Sequence, residues 1–204
     1  MSKIQNIVFD MGNVLIRYTP EAYASAYLSD PEDIQSILDE LFHNVEWVAM
    51  DRGTLTEEEA MHSIAKRLPE HLHAVAARLI REWHQDIPPY PEMDQLIHDL
   101  KAAGYGIYLL SNTSKRYHEF RVNIPAIDLF DGEFISADHG LLKPDRAMYQ
   151  AFFEQFHLEP ETCFFIDDSA ANIESAMREG MQGFVFHGDV AKVRRALNEA
   201  GVDF

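Results

Sequence analysis

The stretch Ile7-Val8-Phe9-Asp10-Met11-Gly12-Asn13-Val14-Leu15 decides how this chain is read. An apolar run ends on a carboxylate, two turn-tolerant residues follow, and the chain turns apolar again. Such a run predicts a strand buried on both faces of a parallel sheet, with Asp10 at its carboxyl end. Open α/β sheets gather their chemistry along that edge. Gly12 and Asn13 both accept unusual backbone angles, so the chain can turn sharply there and let a ligand approach the backbone. Taken alone, the stretch reads equally well as a strand-ending turn in which Asp10 caps a loop.

Composition narrows the choice. A chain of 204 residues with 47% hydrophobic content has room for one α/β core and a smaller insert. The 17 basic and 34 acidic side chains leave a net charge of −17, which argues against nucleic acid and anionic membrane surfaces as partners. An anionic substrate would therefore need local help from a metal, a lysine or backbone N–H groups. The single cysteine, Cys163, lies in the apolar run Cys163-Phe164-Phe165-Ile166, so no internal disulfide is possible. A buried small hydrophobe in a reducing, cytoplasmic compartment is the expectation. No signal-peptide core or membrane span is expected, because no apolar run is long enough.

Downstream of the first strand the pattern is helical. Thr19-Pro20 predicts a helix start with Thr19 as N-cap, followed by a helix over Glu21–Leu28. Asp30-Pro31 opens a second helix carrying Ile34, Ile37, Leu38 and Leu41. Thr56 and Glu59 have capping-box spacing for a third, and a fourth covers His71 to Trp83. No strand interrupts residues 18–87, so this block is read as an all-helical cap outside the sheet. Residues 1–17 and 88–204 form the core.

Further strands follow at 106–113, 130–136, 162–168 and 182–186, with helices between them, one of which starts at Lys115. The predicted fold class is α/β: a Rossmann-like parallel sheet with helices on both faces plus the inserted cap. Four groups then meet at the carboxyl edge: Asp10, Ser111 with Asn112, Lys143, and Asp167 with Asp168. A carboxylate can attack phosphorus, paired carboxylates can hold magnesium, and a hydroxyl, an amide and a lysine can hold phosphate oxygens.

This constellation resembles the haloacid dehalogenase superfamily, chiefly its magnesium-dependent phosphatases. The motifs Phe9-Asp10-Met11-Gly12-Asn13-Val14, Leu110-Ser111-Asn112-Thr113, Lys143-Pro144 and Phe165-Ile166-Asp167-Asp168-Ser169 occur in the family's order, with a cap after the first. Within the superfamily they look most like the bacterial α-glucose-1-phosphate phosphatases, as does the cap segment Asp51-Arg52-Gly53-Thr54-Leu55-Thr56-Glu57. The resemblance implies Asp10 as nucleophile and magnesium ligand, the Gly12 carbonyl as a second ligand, and Asp168 as a third. It implies Asp167 as a water-mediated ligand or as the group orienting Lys143. Ser111, Asn112 and Lys143 would bind phosphate. The implied substrate is a small phosphorylated metabolite, such as a sugar phosphate, handled by a monomer or homodimer.

One departure stands out. Most phosphatases of the superfamily carry an acid/base aspartate two residues after the nucleophile, and here that position is Gly12. A cap residue or water must take its place, or the leaving group must depart unaided. His43, Glu46 and Asp51 are the candidate acids, though such residues are most often solvated surface. Arg52 is a candidate for phosphate or hydroxyl contact, Trp47 for a sugar-facing wall, and Asn172 for ordering the metal site. Two alternatives to a phosphatase are a metal-free 2-haloacid dehalogenase and a non-catalytic binding or regulatory protein of the same fold.

Overall fold

A computed structural model describes residues 3–85 and 87–204. Strand β1 (Asn6–Phe9) is followed by five helices: α1 (Pro20–Ser25), α2 (Pro31–Ile37), α3 (Val45–Asp51), α4 (Glu57–Ile64) and α5 (His73–Glu82). Then come α6 (Pro91–Ala102), β2 (Gly106–Ser111), α7 (Tyr117–Phe120), β3 (Gly132–Ile135), α8 (Ser136–His139) and α9 (Arg146–Phe156). The chain ends with β4 (Cys163–Asp167), α10 (Ala170–Arg178), β5 (Gln182–Val185) and α11 (Val190–Glu199). The sheet is wholly parallel, in the order β3-β2-β1-β4-β5, so the expected α/β fold is observed.

The apolar first strand lies at the centre because only a central strand needs both faces apolar. Ile7 and Phe9 point to a core shared with α6 and α11, whereas Val8 points to a second core with Phe134, Phe152 and Phe165. Phe9 pairs with Leu109 on one side and Ile166 on the other. Asp10, the next residue, is therefore level with Leu110 and Asp167. The Asp10 amide extends the ladder by donating to the Ile166 carbonyl at 2.9 Å.

The chain enters and leaves the helical block side by side. Arg17 N–H donates to the Pro88 carbonyl at 2.9 Å, and Tyr90 N–H to Leu15 at 3.0 Å. Local sequence explains most of the block. The Thr56–Glu59 capping box forms, and the Asp30 carboxylate accepts from Glu32 N–H. Three details differ from expectation. The Thr19 hydroxyl does not cap α1, which ends at Ser25. The helix expected from Lys115 is only the single turn of α7. Helix α2 widens into a π turn over Leu38–Phe42, and after a break at His43 α3 starts afresh with Asn44 capping Val45 N–H at 2.7 Å. An asparagine ahead of a short helical segment is an N-cap signal, and it is the mark by which α3 could have been separated in the sequence.

The end of α3 docks on the core. Ser136 Oγ donates to the Asp51 carbonyl at 2.5 Å, and Arg116 forms a two-pronged pair with Glu57, 2.5 Å on each arm. Gly53, at φ +75°, lies so close to α8 that an added Cβ would sit 2.2 Å from the Ala137 carbonyl oxygen. Gly53→Ala should therefore lower stability by about 1–3 kcal/mol, combining left-handed strain with a backbone clash. The comparison is Gly104→Ala, which is also left-handed but has open space around it. Equal shifts of the urea midpoint in the two variants would mean that the Gly53–Ala137 contact contributes nothing.

Candidate active site

The carboxyl edge of the sheet brings Asp10, Lys143 and Asp167 into contact. Lys143 Nζ lies 2.8 Å from Asp10 Oδ1 and 2.7 Å from Asp167 Oδ2, and it donates to the Leu110 carbonyl at 2.8 Å. Its side chain is 1% exposed. Burial opposes the ammonium charge, but the two carboxylates outweigh it and hold the Lys143 pKa above its ordinary value. For Asp10, burial pushes the pKa up, Lys143 pulls it down and Asp167 pushes it up again, for a net value of about 6.

Each member of the cluster has its own support. Asp167 is fully buried, and both of its oxygens are engaged. Oδ1 accepts from Ser169 N–H at 2.8 Å, and Asn172 Nδ2 lies 3.0 Å from each oxygen. With Lys143 on Oδ2, this is the arrangement of a lysine-orienting group. Asn172, one turn into α10, steadies Asp167. Asp168 is half-buried, and its Oδ2 accepts from Asn13 Nδ2 at 3.0 Å. Burial raises the Asp168 pKa, the Asn13 hydrogen bond lowers it, and repulsion from Asp167 adds to the rise. One oxygen each of Asp10, Asp167 and Asp168 lie within 4.8 Å of one another, the only such cluster among the described residues. These hard oxygen donors suit a magnesium ion.

Ser111 is buried at the end of β2. Asn112 borders the cavity, and its side-chain amide braces the Lys143 backbone: Nδ2 donates to the Lys143 carbonyl at 2.9 Å, and Oδ1 accepts from Lys143 N–H at 2.8 Å. At the turn after β1, Asn13 takes the left-handed conformation (φ +55°) and Gly12 does not. Asn13 Oδ1 accepts from Tyr18 N–H at 3.0 Å, so this one side chain ties Asp168 to the entrance of the cap. Its positioning role was hidden, because the sequence marks Asn13 only as turn-tolerant.

Above Asp10 lies a cavity of about 210 Å³ between core and cap. Gly12 and Asn112 belong to its floor; Tyr18, Phe42, Trp47 and Trp83 belong to its walls. The rings interlock: Phe42 and Trp47 centroids are 4.7 Å apart, Tyr18 and Trp83 5.6 Å, and Trp47 and Trp83 5.9 Å. A larger groove of about 660 Å³ between α4 and α5 contains none of the cluster.

A family model for haloacid dehalogenase-like hydrolases matches residues 4–180. The chain belongs to that family. It is 28% identical over 177 residues to a sesquiterpene phosphatase from Aspergillus oryzae, covering 86% of each chain. It is 22% identical over 189 residues to a D-ribitol-5-phosphate phosphatase from Bacteroides thetaiotaomicron, covering 89% of this chain and 91% of that one. Among solved structures, a haloacid dehalogenase family enzyme from Bacteroides thetaiotaomicron in complex with magnesium and inorganic phosphate aligns with a TM-score of 0.64 and 23% identity. That alignment covers 93% of this chain and 98% of that one.

The cap residues singled out in this family member separate cleanly. Trp47 lines the cavity. His43 is exposed. Arg52 reaches Asp145 at 3.6 Å across a solvent-exposed pair. Glu46 is neither solvated nor in the cavity: it is buried and accepts from Ser63 Oγ at 2.6 Å and from both terminal nitrogens of Arg67 at 2.9 Å. Asp51 does line the cavity, facing Asp10.

The Glu46–Arg67 pair generates a stability prediction. The Arg67 hydrogen bonds lower the Glu46 pKa despite burial. A lowered folded-state value contributes stability that is complete above the ordinary value of 4.5 and is lost as pH falls through the lowered one. Glu46→Gln should remove about 1–2 kcal/mol at pH 7, discounted because Arg67 is partly exposed. Chemical denaturation should show that deficit shrinking in acid, while turnover per folded molecule is unchanged.

Proposed function

We propose that this hydrolase is a magnesium-dependent phosphatase of small phosphate monoesters that works through an aspartyl phosphate on Asp10. The observation that carries the reading is the buried Lys143 ammonium within 2.8 Å of Asp10 and 2.7 Å of Asp167, directly behind the one cluster member, Asp10, that lines the cavity between core and cap. A nucleophilic carboxylate and a phosphate dianion repel each other, and a fixed cation between them lowers that barrier. Magnesium would be held by Asp10, Asp168 and the Gly12 carbonyl, and would supply further charge compensation at phosphorus. Asp167, already engaged by Lys143, Ser169 and Asn172, serves as the orienting group.

The chain's own residues then act in a defined order. Lys143 draws the phosphoryl oxygens towards Asp10. An Asp10 oxygen attacks phosphorus, the bond to the leaving alcohol breaks, and an aspartyl phosphate forms. Water attacks that phosphorus and regenerates Asp10. Asn112 and Asp167 keep the lysine in place throughout. The acidic pair Asp167-Asp168 favours this reading over a metal-free dehalogenase, which needs no cation site. An intact Asp10 and Lys143 favour it over a non-catalytic protein.

The walls of the cavity bear on the substrate. Tyr18, Phe42, Trp47 and Trp83 offer flat apolar surface and few hydrogen-bonding groups. They suit a leaving alcohol with an apolar face better than one that presents hydroxyls on every side. A sugar 1-phosphate would stack one face on Trp47 or Trp83 and leave its other hydroxyls with few partners.

Phosphate release from a panel of alkyl, allylic, aryl and sugar phosphates, with magnesium or with a chelator, tests both statements. Metal-dependent turnover with higher kcat/KM for apolar leaving groups is expected; a preference for glucose 1-phosphate would reverse the reading of the walls. Halide release from 2-haloacids without metal would replace the phosphatase reading altogether. Asp10→Asn should abolish turnover while leaving the melting curve near that of wild type. Asn13→Ala should weaken magnesium binding about 10- to 100-fold by releasing Asp168, measured by calorimetric titration; an unchanged titration would remove Asp168 from the ligand set.

A further inference from the structure

Gly12 leaves the reaction without a proton donor from the first strand, and the cavity contains one carboxylate besides Asp10. We propose that Asp51, carried by the cap, is the general acid and base of this enzyme. The assignment rests on the phosphatase reading above and adds to it the group that moves the proton.

The geometry is specific. Asp51 is the last residue of α3 and lines the same cavity as Asp10 and Gly12. Although it belongs to the cap, its backbone is fastened to the core. Its carbonyl accepts from Ser136 Oγ at 2.5 Å, and Ser136 Oγ in turn bonds Thr113, whose N–H donates to it at 2.8 Å. Thr113 and Asn112 border the cavity from the loop after β2. Two residues beyond Asp51, Gly53 packs directly on the Ala137 backbone. A side chain anchored in this way holds a constant position relative to Asp10, as a proton-transfer group must.

Its surroundings match the role. Trp47 and Trp83 close the cavity beside it, and the titratable groups facing it are Asp10 and Tyr18. Burial in this wall disfavours the charged form of the Asp51 carboxyl, and the side chain shares the cavity with Asp10, where a leaving oxygen or an attacking water would lie between them.

The steps balance. In the first, an Asp10 oxygen bonds to phosphorus, the phosphorus–alkoxide bond breaks, and the alkoxide takes the proton of the Asp51 carboxyl to leave as a neutral alcohol. In the second, the Asp51 carboxylate removes a proton from water as its oxygen bonds to phosphorus and the Asp10–phosphorus bond breaks. Hydrogen phosphate departs, and both aspartates return to their starting states.

The test is Asp51→Asn, assayed with 4-nitrophenyl phosphate and with a simple alkyl phosphate. A nitrophenolate leaves without a proton, so kcat/KM for that ester should stay within about tenfold of wild type. For the alkyl ester it should fall about 10²- to 10⁴-fold. With 4-nitrophenyl phosphate the variant should also release a burst of about one equivalent of nitrophenolate before slow turnover, because water attack has lost its base. Equal losses of kcat/KM on the two esters, without a burst, would indicate a structural role and overturn the assignment. Should Asp51→Asn fail to fold, wild-type kcat/KM across esters of rising leaving-group pKa decides: a shallow dependence supports an acid in the cavity, and a steep one refutes it. Absence of any turnover by the wild type would instead overturn the phosphatase reading, and with it this role for Asp51. Wild-type activity lost in Asp10→Asn but kept in Asp51→Asn on alkyl esters would overturn only the present inference.

Discussion

Asp10, Asp167 and Asp168 converge at the end of one sheet, and like charges at that spacing repel. The Lys143 ammonium, fully buried between Asp10 and Asp167, is what makes the first two compatible with a folded chain. Breaking a buried pair by removing one partner strands the other charge in a poor solvent, so this lysine contributes to the stability of the sheet edge. Its placement depends in turn on smaller contacts. Asn112 clamps its backbone from the loop after β2, the Leu110 carbonyl takes a third ammonium proton, and Asn172 reaches from α10 to hold Asp167. Three strands and two loops are therefore committed to the position of one nitrogen atom.

The cap supplies what the sheet edge lacks. Its tyrosine, phenylalanine and two tryptophans pack edge to face and tilted against one another and wall the cavity that opens onto Asp10. The same aromatic wall replaces hydrogen-bonding groups with flat apolar surface. The carboxylates and the lysine belong to the sheet edge, while the aromatic walls of the cavity above Asp10 belong to the cap.

Glu46 and Asp51 show how little side-chain type says about role. They lie five residues apart, at the two ends of a helix of seven residues, and both are carboxylates in an acidic chain. Glu46 turns outward from the cavity to Ser63 and Arg67 and becomes part of the cap's own framework. Asp51 ends the helix against the core and faces Asp10. The seven-residue helix that carries them was itself obscured by the π turn of Leu38–Phe42, which interrupts the simple helical period just before it.

The sequence by itself determined the parallel sheet, the helical block outside it and the meeting of Asp10, Lys143, Asp167 and Asp168 at one edge. Apolar runs ending in polar groups, alternating with helical periods, permit few other arrangements, because a strand apolar on both faces must be covered on both. Tertiary structure alone decided the work of each polar side chain. Asn112 braces a loop, Asn13 ties Asp168 to the cap, Glu46 pairs with Arg67, and Asp51 enters the cavity. Those outcomes depend on distances between residues far apart in the chain: 155 positions for Asn13 and Asp168, and 85 for Asp51 and Ser136. Local periodicity has no access to such separations, and burial makes each of the contacts matter.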